Sequence, residues 1–191
     1  LGRRALPFTC DLADLAQIDR LWQTIDAEFG RVDCLGNVAG DAKAGPPETA
    51  TIEDLQFTLQ CLVVSKFAMC QQAGRRMLAQ GRGSIINIGS LASVSALGRG
   101  HAFYSMGMGA VVQMTRELST EWASGGVRVN AILPGAMNTP MAIEPRVASG
   151  IDRATLIKQR DSRVPLGGKM VTGWDVAYAA LFLHSDEAGF I

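Results

Sequence analysis

The 191 residues carry 18 Lys and Arg against 18 Asp and Glu, a formal net charge of zero, and 48% of them are hydrophobic. That balance argues against nucleic acid or an anionic membrane surface as the main partner, and it suits one globular domain spanning residues 1–191 with a sizeable core. No apolar run approaches the roughly 18–20 residues of a membrane span, and Leu1-Gly2-Arg3-Arg4 has no signal-peptide core.

In chain order, Ala5–Cys10 reads as a short strand ending at Asp11. Asp14 is the N-cap of a helix that carries Ile18, Leu21, Trp22, Ile25 and Phe29 on one stripe and stops at Gly30. Val32–Asn37 is the next strand, followed by a loop through Gly45-Pro46-Pro47. Thr51 with Asp54 resembles a capping box and opens a long helix to about Gln80, closed by Gly81 and Gly83. Ser84–Ser90, with Ile85, Ile86 and Ile88, is a continuous apolar run and reads as a fully buried strand of a parallel sheet.

A further helix is expected from about Phe103 to Ser124. Gly107 and Gly109 lie inside it, each costing roughly 1 kcal/mol against Ala, a cost more easily tolerated where another backbone or a ligand approaches. Val127–Leu133 is the next strand. Pro140–Val164 reads as an irregular, mobile segment with short helices, and Thr172 with Asp175 caps a last helix. Strands alternating with helices predict an α/β, Rossmann-like doubly wound parallel sheet. Cys10, Cys34, Cys61 and Cys70 have no CxxC pairing and read as buried free thiols in a reducing cytoplasm. His101 and His184 stand apart from any Cys/His cluster, so no metal site is expected.

A Ser at the carboxyl end of a buried strand, Ser90, beside a Tyr at the start of the following helix, Tyr104, is a reaction-site layout, because open α/β sheets place ligands at that edge. These residues resemble the Ser and Tyr-x-x-x-Lys of the short-chain dehydrogenase/reductase family. Asp11-Leu12 resembles the pair ending that family's third strand, and Asn37-Val38-Ala39-Gly40 its Asn-Asn-Ala-Gly. Val127–Ile132 leading to Pro134-Gly135 and Thr139 is similar to its sixth strand and nicotinamide loop.

The resemblance implies an oxidoreductase that uses NAD or NADP to interconvert an alcohol and a ketone on a small-molecule substrate. It implies Tyr104 as general acid/base and Ser90 as the hydrogen-bond donor to the same oxygen. Asp11, Leu12, Asn37, Ala39 and Gly40 would line the adenosine side, and Pro134, Gly135 and Thr139 the nicotinamide. A homodimer or homotetramer, paired through the long helices, is also implied.

Two departures stand out. Met108 occupies the place of the family Lys, and residues 51–80 contain no Asn, with Gln60, Cys61 and Leu62 filling that region. They raise an alternative, a catalytically impaired binding or subunit protein of the same fold, while Arg99 and His101, just before Tyr104, are the cations that could substitute for the Lys and keep catalysis. The family's first strands with their Gly-rich loop and its last strand have no counterpart in residues 1–191, so a longer reading frame is expected to contain this sequence.

Overall fold

Three strands, β1 (Cys34–Asn37), β2 (Gly83–Ile88) and β3 (Val127–Ile132), pair in parallel in the order β1-β2-β3. The register sets Asn37 opposite Asn87 and Ile88 opposite Ile132. This is the arrangement in the computed structural model, which describes residues 2–98 and 100–191.

Each crossover between parallel strands is helical. α1 (Leu15–Phe29) is capped by the Asp14 carboxylate, which accepts from the Ala16 and Gln17 amides. It ends at Gly30, which adopts φ 70°, the left-handed C-terminal turn. α2 (Ile52–Leu59) starts where the Thr51 hydroxyl accepts from Asp54 N–H. α3 (Ser65–Gln80) leads into β2, and α4 (Ala102–Trp122) leads into β3. Between α2 and α3 the helix expected to run unbroken carries a π turn over Gln60–Val64. Such single wide turns often mark functional sites.

Ile18 and Trp22 of α1, Met77 and Ala73 of α3, Ile85 of β2 and Val127 of β3 share one core cluster. α3 comes close to α4 because Gly74 has no side chain. A Cβ there would sit 2.6 Å from the Trp122 ring.

Several expectations are corrected. Residues 5–10 form no strand. A parallel strand is held by bonds to a neighbour, and among the described residues the far side of β1 has none. The segment 140–164 carries the short helices expected of it, α5 (Pro140–Ala148) and α6 (Arg153–Asp161), but is more regular than its Pro and Gly suggest. These helices have a small core of their own, built on Ile143, Leu156 and Met170. Cys34 is exposed, although all four cysteines are free.

α7 (Gly173–His184) is capped as expected, with the Asp175 carboxylate accepting from both the amide and the hydroxyl of Thr172. It buries none of its residues and turns Trp174, Tyr178 and Leu181 outward. Among the described residues no helix is long and apolar enough to cross a membrane.

Candidate active site

The candidate binding and catalytic residues lie at or just beyond the carboxyl ends of strands, in the first turn of α4 for Tyr104, or, for Asp11 and Leu12, just before α1. Ser90 follows β2 and opens a short 3-10 turn, Leu91–Ser93. Its hydroxyl oxygen accepts from Ala92 N–H at 3.1 Å. That bond uses a lone pair and leaves the hydroxyl hydrogen free to donate. α4 packs against this same turn, and Gly109, inside α4, passes within 3.9 Å of the Ser93 carbonyl measured from where its Cβ would be.

Tyr104 stands half-buried in the first turn of α4. His101, at the N-cap of that helix, meets the Tyr104 ring edge-on with centroids 6.5 Å apart. The His101 ring is fixed by Nδ1 at 2.9 Å from the Gly98 carbonyl. Of the two substitute cations considered from the sequence, His101 therefore touches the Tyr, while Arg99 lies outside the described residues. Met108, one turn further along α4, is 6% exposed.

The turns after β2 and β3 are joined. Gly89 N–H donates to Ile132 O, and Leu91 N–H donates to Pro134 O at 3.0 Å, so Ser90 and Pro134 sit side by side. Gly135 is exposed, with open space where a Cβ would be. Thr139 caps α5, its hydroxyl oxygen accepting from Ala142 N–H. The loop between them is pinned through Ala136 and Asn138, whose backbone groups bond Val171. Met137 lies in that bridge, Ile143 is packed into the small core, and Met141 is 69% exposed.

At the end of β1 the loop Asn37–Gly40 lies against the π turn. Leu62, 1% exposed, fills the space between two backbones. A Cβ on Gly40 would lie 2.7 Å from one Leu62 methyl, and one on Gly107 would lie 3.0 Å from the other. The region that carries an Asn in the resembled family is thus an apolar plug here, and Gly107 is needed for the close approach. Gln60 reaches back to donate to the Ala13 carbonyl at 2.9 Å, tying the π turn to the Asp11–Asp14 turn. Burial pushes the Cys61 thiol up, and the carboxylates of Asp41 and Asp11 add to that push. The π turn thus borders both the Asp11–Asp14 turn, through Gln60, and the Asn37–Gly40 loop, through Leu62.

The site has an interior that sequence reading missed. Asn37 Nδ2 donates to Asn87 Oδ1 at 2.9 Å, and Asn87 Nδ2 donates to the Thr115 hydroxyl at 3.0 Å. Cys70 Sγ lies between the two asparagines, and burial pushes its thiol up to about 11. Lys66, 2% exposed, donates from Nζ to Ala39 O at 2.6 Å and to Asn37 O at 3.3 Å. A signal existed: Asn87 is a polar residue in the middle of the apolar run Ser84–Gly89.

Comparison with known proteins now fits this geometry. A family model described as enoyl-(acyl carrier protein) reductase matches residues 1–191. D-threitol dehydrogenase of Mycolicibacterium smegmatis is 36% identical over 184 residues, covering 96% of this chain and 68% of that protein. Dehydrogenase/reductase SDR family member 6 of Xenopus laevis is 32% identical over 181 residues, covering 95% of this chain and 71% of that one. The chain belongs to the short-chain dehydrogenase/reductase family. The crystal structure of a single-substitution variant of actinorhodin polyketide ketoreductase with NADPH superimposes with a TM-score of 0.90 at 28% identity, over 96% of this chain and 72% of that one. The Rossmann-like architecture read from the sequence is therefore correct.

Proposed function

We propose that this chain is an oxidoreductase that interconverts an alcohol and a carbonyl on a small-molecule substrate with NAD or NADP. The observation that carries the reading is the packing of the first turns of α4, with Tyr104, near the 3-10 turn opened by Ser90 at the carboxyl end of β2. The nicotinamide supplies a hydride acceptor or donor when bound. The residues of this chain fit it. The Asp11 turn and the Asn37–Gly40 loop, both bordering the π turn, are assigned to the adenosine. The Pro134–Thr139 turn, beside Ser90 and open at Gly135, is assigned to the nicotinamide.

In oxidation the substrate hydroxyl gives its proton to the Tyr104 oxygen while its carbon gives up hydride; in reduction Tyr104 returns the proton. Ser90, held by the Ala92 amide with its own hydrogen free, donates to the same substrate oxygen and orients it. Phe67, exposed on α3, belongs to the helical faces that we expect to pair copies of the chain into a dimer or tetramer.

A second reading, binding without turnover, is favoured by one observation: the side chain one turn past Tyr104 is the apolar, buried Met108. Titration of the protein, expressed from its complete reading frame, with NADH and NADPH, followed by turnover on a panel of ketones and secondary alcohols, separates the two. Tyr104→Phe should keep dinucleotide binding and lower kcat by about a hundredfold or more. Equal turnover by Tyr104→Phe, or no turnover by the wild type, would remove the catalytic reading; failure to bind either dinucleotide would remove both.

A further inference from the structure

Among the described residues, Lys66 is a buried cation without a carboxylate partner. Every group turned toward it is neutral or an acceptor. β1 presents the amide and carbonyl of Asn37, whose side chain is held in turn by Asn87 and through it Thr115, and the π turn presents Leu62 beside Gly40. In its own helix, Cys70 is one turn on, and its raised thiol is neutral at physiological pH. The acids of α1 that face α3 are engaged further along it, Asp19 by Gln72 and Asp26 by Arg76. Asp41, just past the loop, is exposed and accepts from Ala42 N–H.

Leaving an ammonium in such a place is costly, and an apolar side chain of similar length would fill it without that cost. What the ammonium does is bind two carbonyls of one loop, Asn37 and Ala39. The lock is reciprocal, because Asn37 Nδ2 also donates to the Lys66 carbonyl at 3.4 Å. Between the two held carbonyls, Val38 faces outward and is 72% exposed.

We propose that Lys66 is a positioning residue for the dinucleotide: its charge holds the Asn37–Gly40 loop in the conformation that lines the adenosine, so that affinity for the dinucleotide depends on that charge. This rests on the cofactor reading given above. Burial lowers Lys66 from its ordinary 10.5 to about 8. The clamp is therefore intact below that pH and released above it.

Two measurements test this, one without any dinucleotide. In 15N-labelled protein the backbone amides of residues 38–41 should titrate with a midpoint near pH 8, and this midpoint should be missing in Lys66→Met. In parallel, NADH or NADPH affinity, read by fluorescence, should fall about tenfold through the same midpoint, as expected when a charge-assisted hydrogen bond is lost. Lys66→Met should bind about tenfold more weakly at pH 7, with no pH dependence, and its loss should fall on the dinucleotide KM more than on kcat. The wild-type curves stand even where Lys66→Met fails to fold, and Lys66→Arg, always charged, should give a flat profile.

Amides with no midpoint near 8, or dinucleotide affinity indifferent to both pH and Lys66→Met, would overturn the role of Lys66 alone. Absence of dinucleotide binding by the wild type at every pH would instead overturn the function on which that role rests.

Discussion

Replacing Lys66 by Met should change how the fold responds to pH. Among the described residues Lys66 is the one charged side chain in the buried set. Its ammonium is lowered from 10.5 to about 8, burial being the first cause. A displacement of that size corresponds to about 3 kcal/mol. Below pH 8 the folded and unfolded chains both hold the proton, and the full cost of burying the charge is present. Between 8 and 10.5 the unfolded chain still binds a proton that the folded chain has released, so the unfolding free energy climbs with pH.

Methionine has no proton to release, so the wild type should gain on Lys66→Met by about 3 kcal/mol across that window. Cys70 acts with the opposite sign. Its thiol is raised from 9.0 to about 11, so its contribution is lost as pH rises through that range. It is present in both proteins, so the comparison cancels its burial part and leaves only the smaller effect of the Lys66 charge on that thiol. The two carbonyl bonds that Lys66→Met gives up set the offset between the curves and not their slope. Urea unfolding of both proteins at about pH 7, 8, 9 and 10 measures the difference. A difference that stays constant to within about 0.5 kcal/mol would refute the assignment of Lys66 as a buried, uncompensated cation.

Met108→Lys should raise the rate of alcohol oxidation at neutral pH by up to about a thousandfold, since a cation 4 Å from a phenolate at an effective dielectric near 20 is worth about 4 kcal/mol. Steady-state kinetics at saturating dinucleotide reads this, and an unchanged rate would mean that the proton leaves Tyr104 by another route, with His101 the first residue to test. Thiol labelling followed by peptide mass spectrometry should find Cys34 modified first and Cys70 last, with rates separated by about a hundredfold or more, because burial keeps the Cys70 thiol protonated. Comparable rates at the two positions would show that the interior around Asn37 and Asn87 opens readily.

Much of the frame was legible because each element announces itself locally. Asp14 and Thr51 mark helix starts by the hydrogen bonds their side chains accept, Thr172 by the bond its hydroxyl donates to Asp175, and Gly30 marks an end by a conformation that suits glycine. The isoleucines of Ser84–Gly89 specify a buried strand whatever surrounds them. Ala5–Cys10 shows where this reasoning fails: its strand pattern is as good as that of Val32–Asn37, but a strand exists only with a ladder partner. In Pro140–Val164 the short helices were legible but their regularity was not. Pro145 and Gly150 suggest irregularity, but Ile143 and Leu156 find each other and Met170 across the turn and stabilise two helices.

The sequence by itself determined the family, the alternation of strand and helix, and the placing of Asn37, Ser90 and Pro134 at the carboxyl ends of three parallel strands, because each of these is carried by order and spacing along the chain. Only the tertiary structure decided that Lys66 is buried on the carbonyls of Asn37 and Ala39, that Leu62 fills the gap between Gly40 and Gly107, and that His101 meets Tyr104. Apart from His101, those contacts join residues 22 or more positions apart. Their energy depends on what lies across the gap, and no local pattern of residues encodes that.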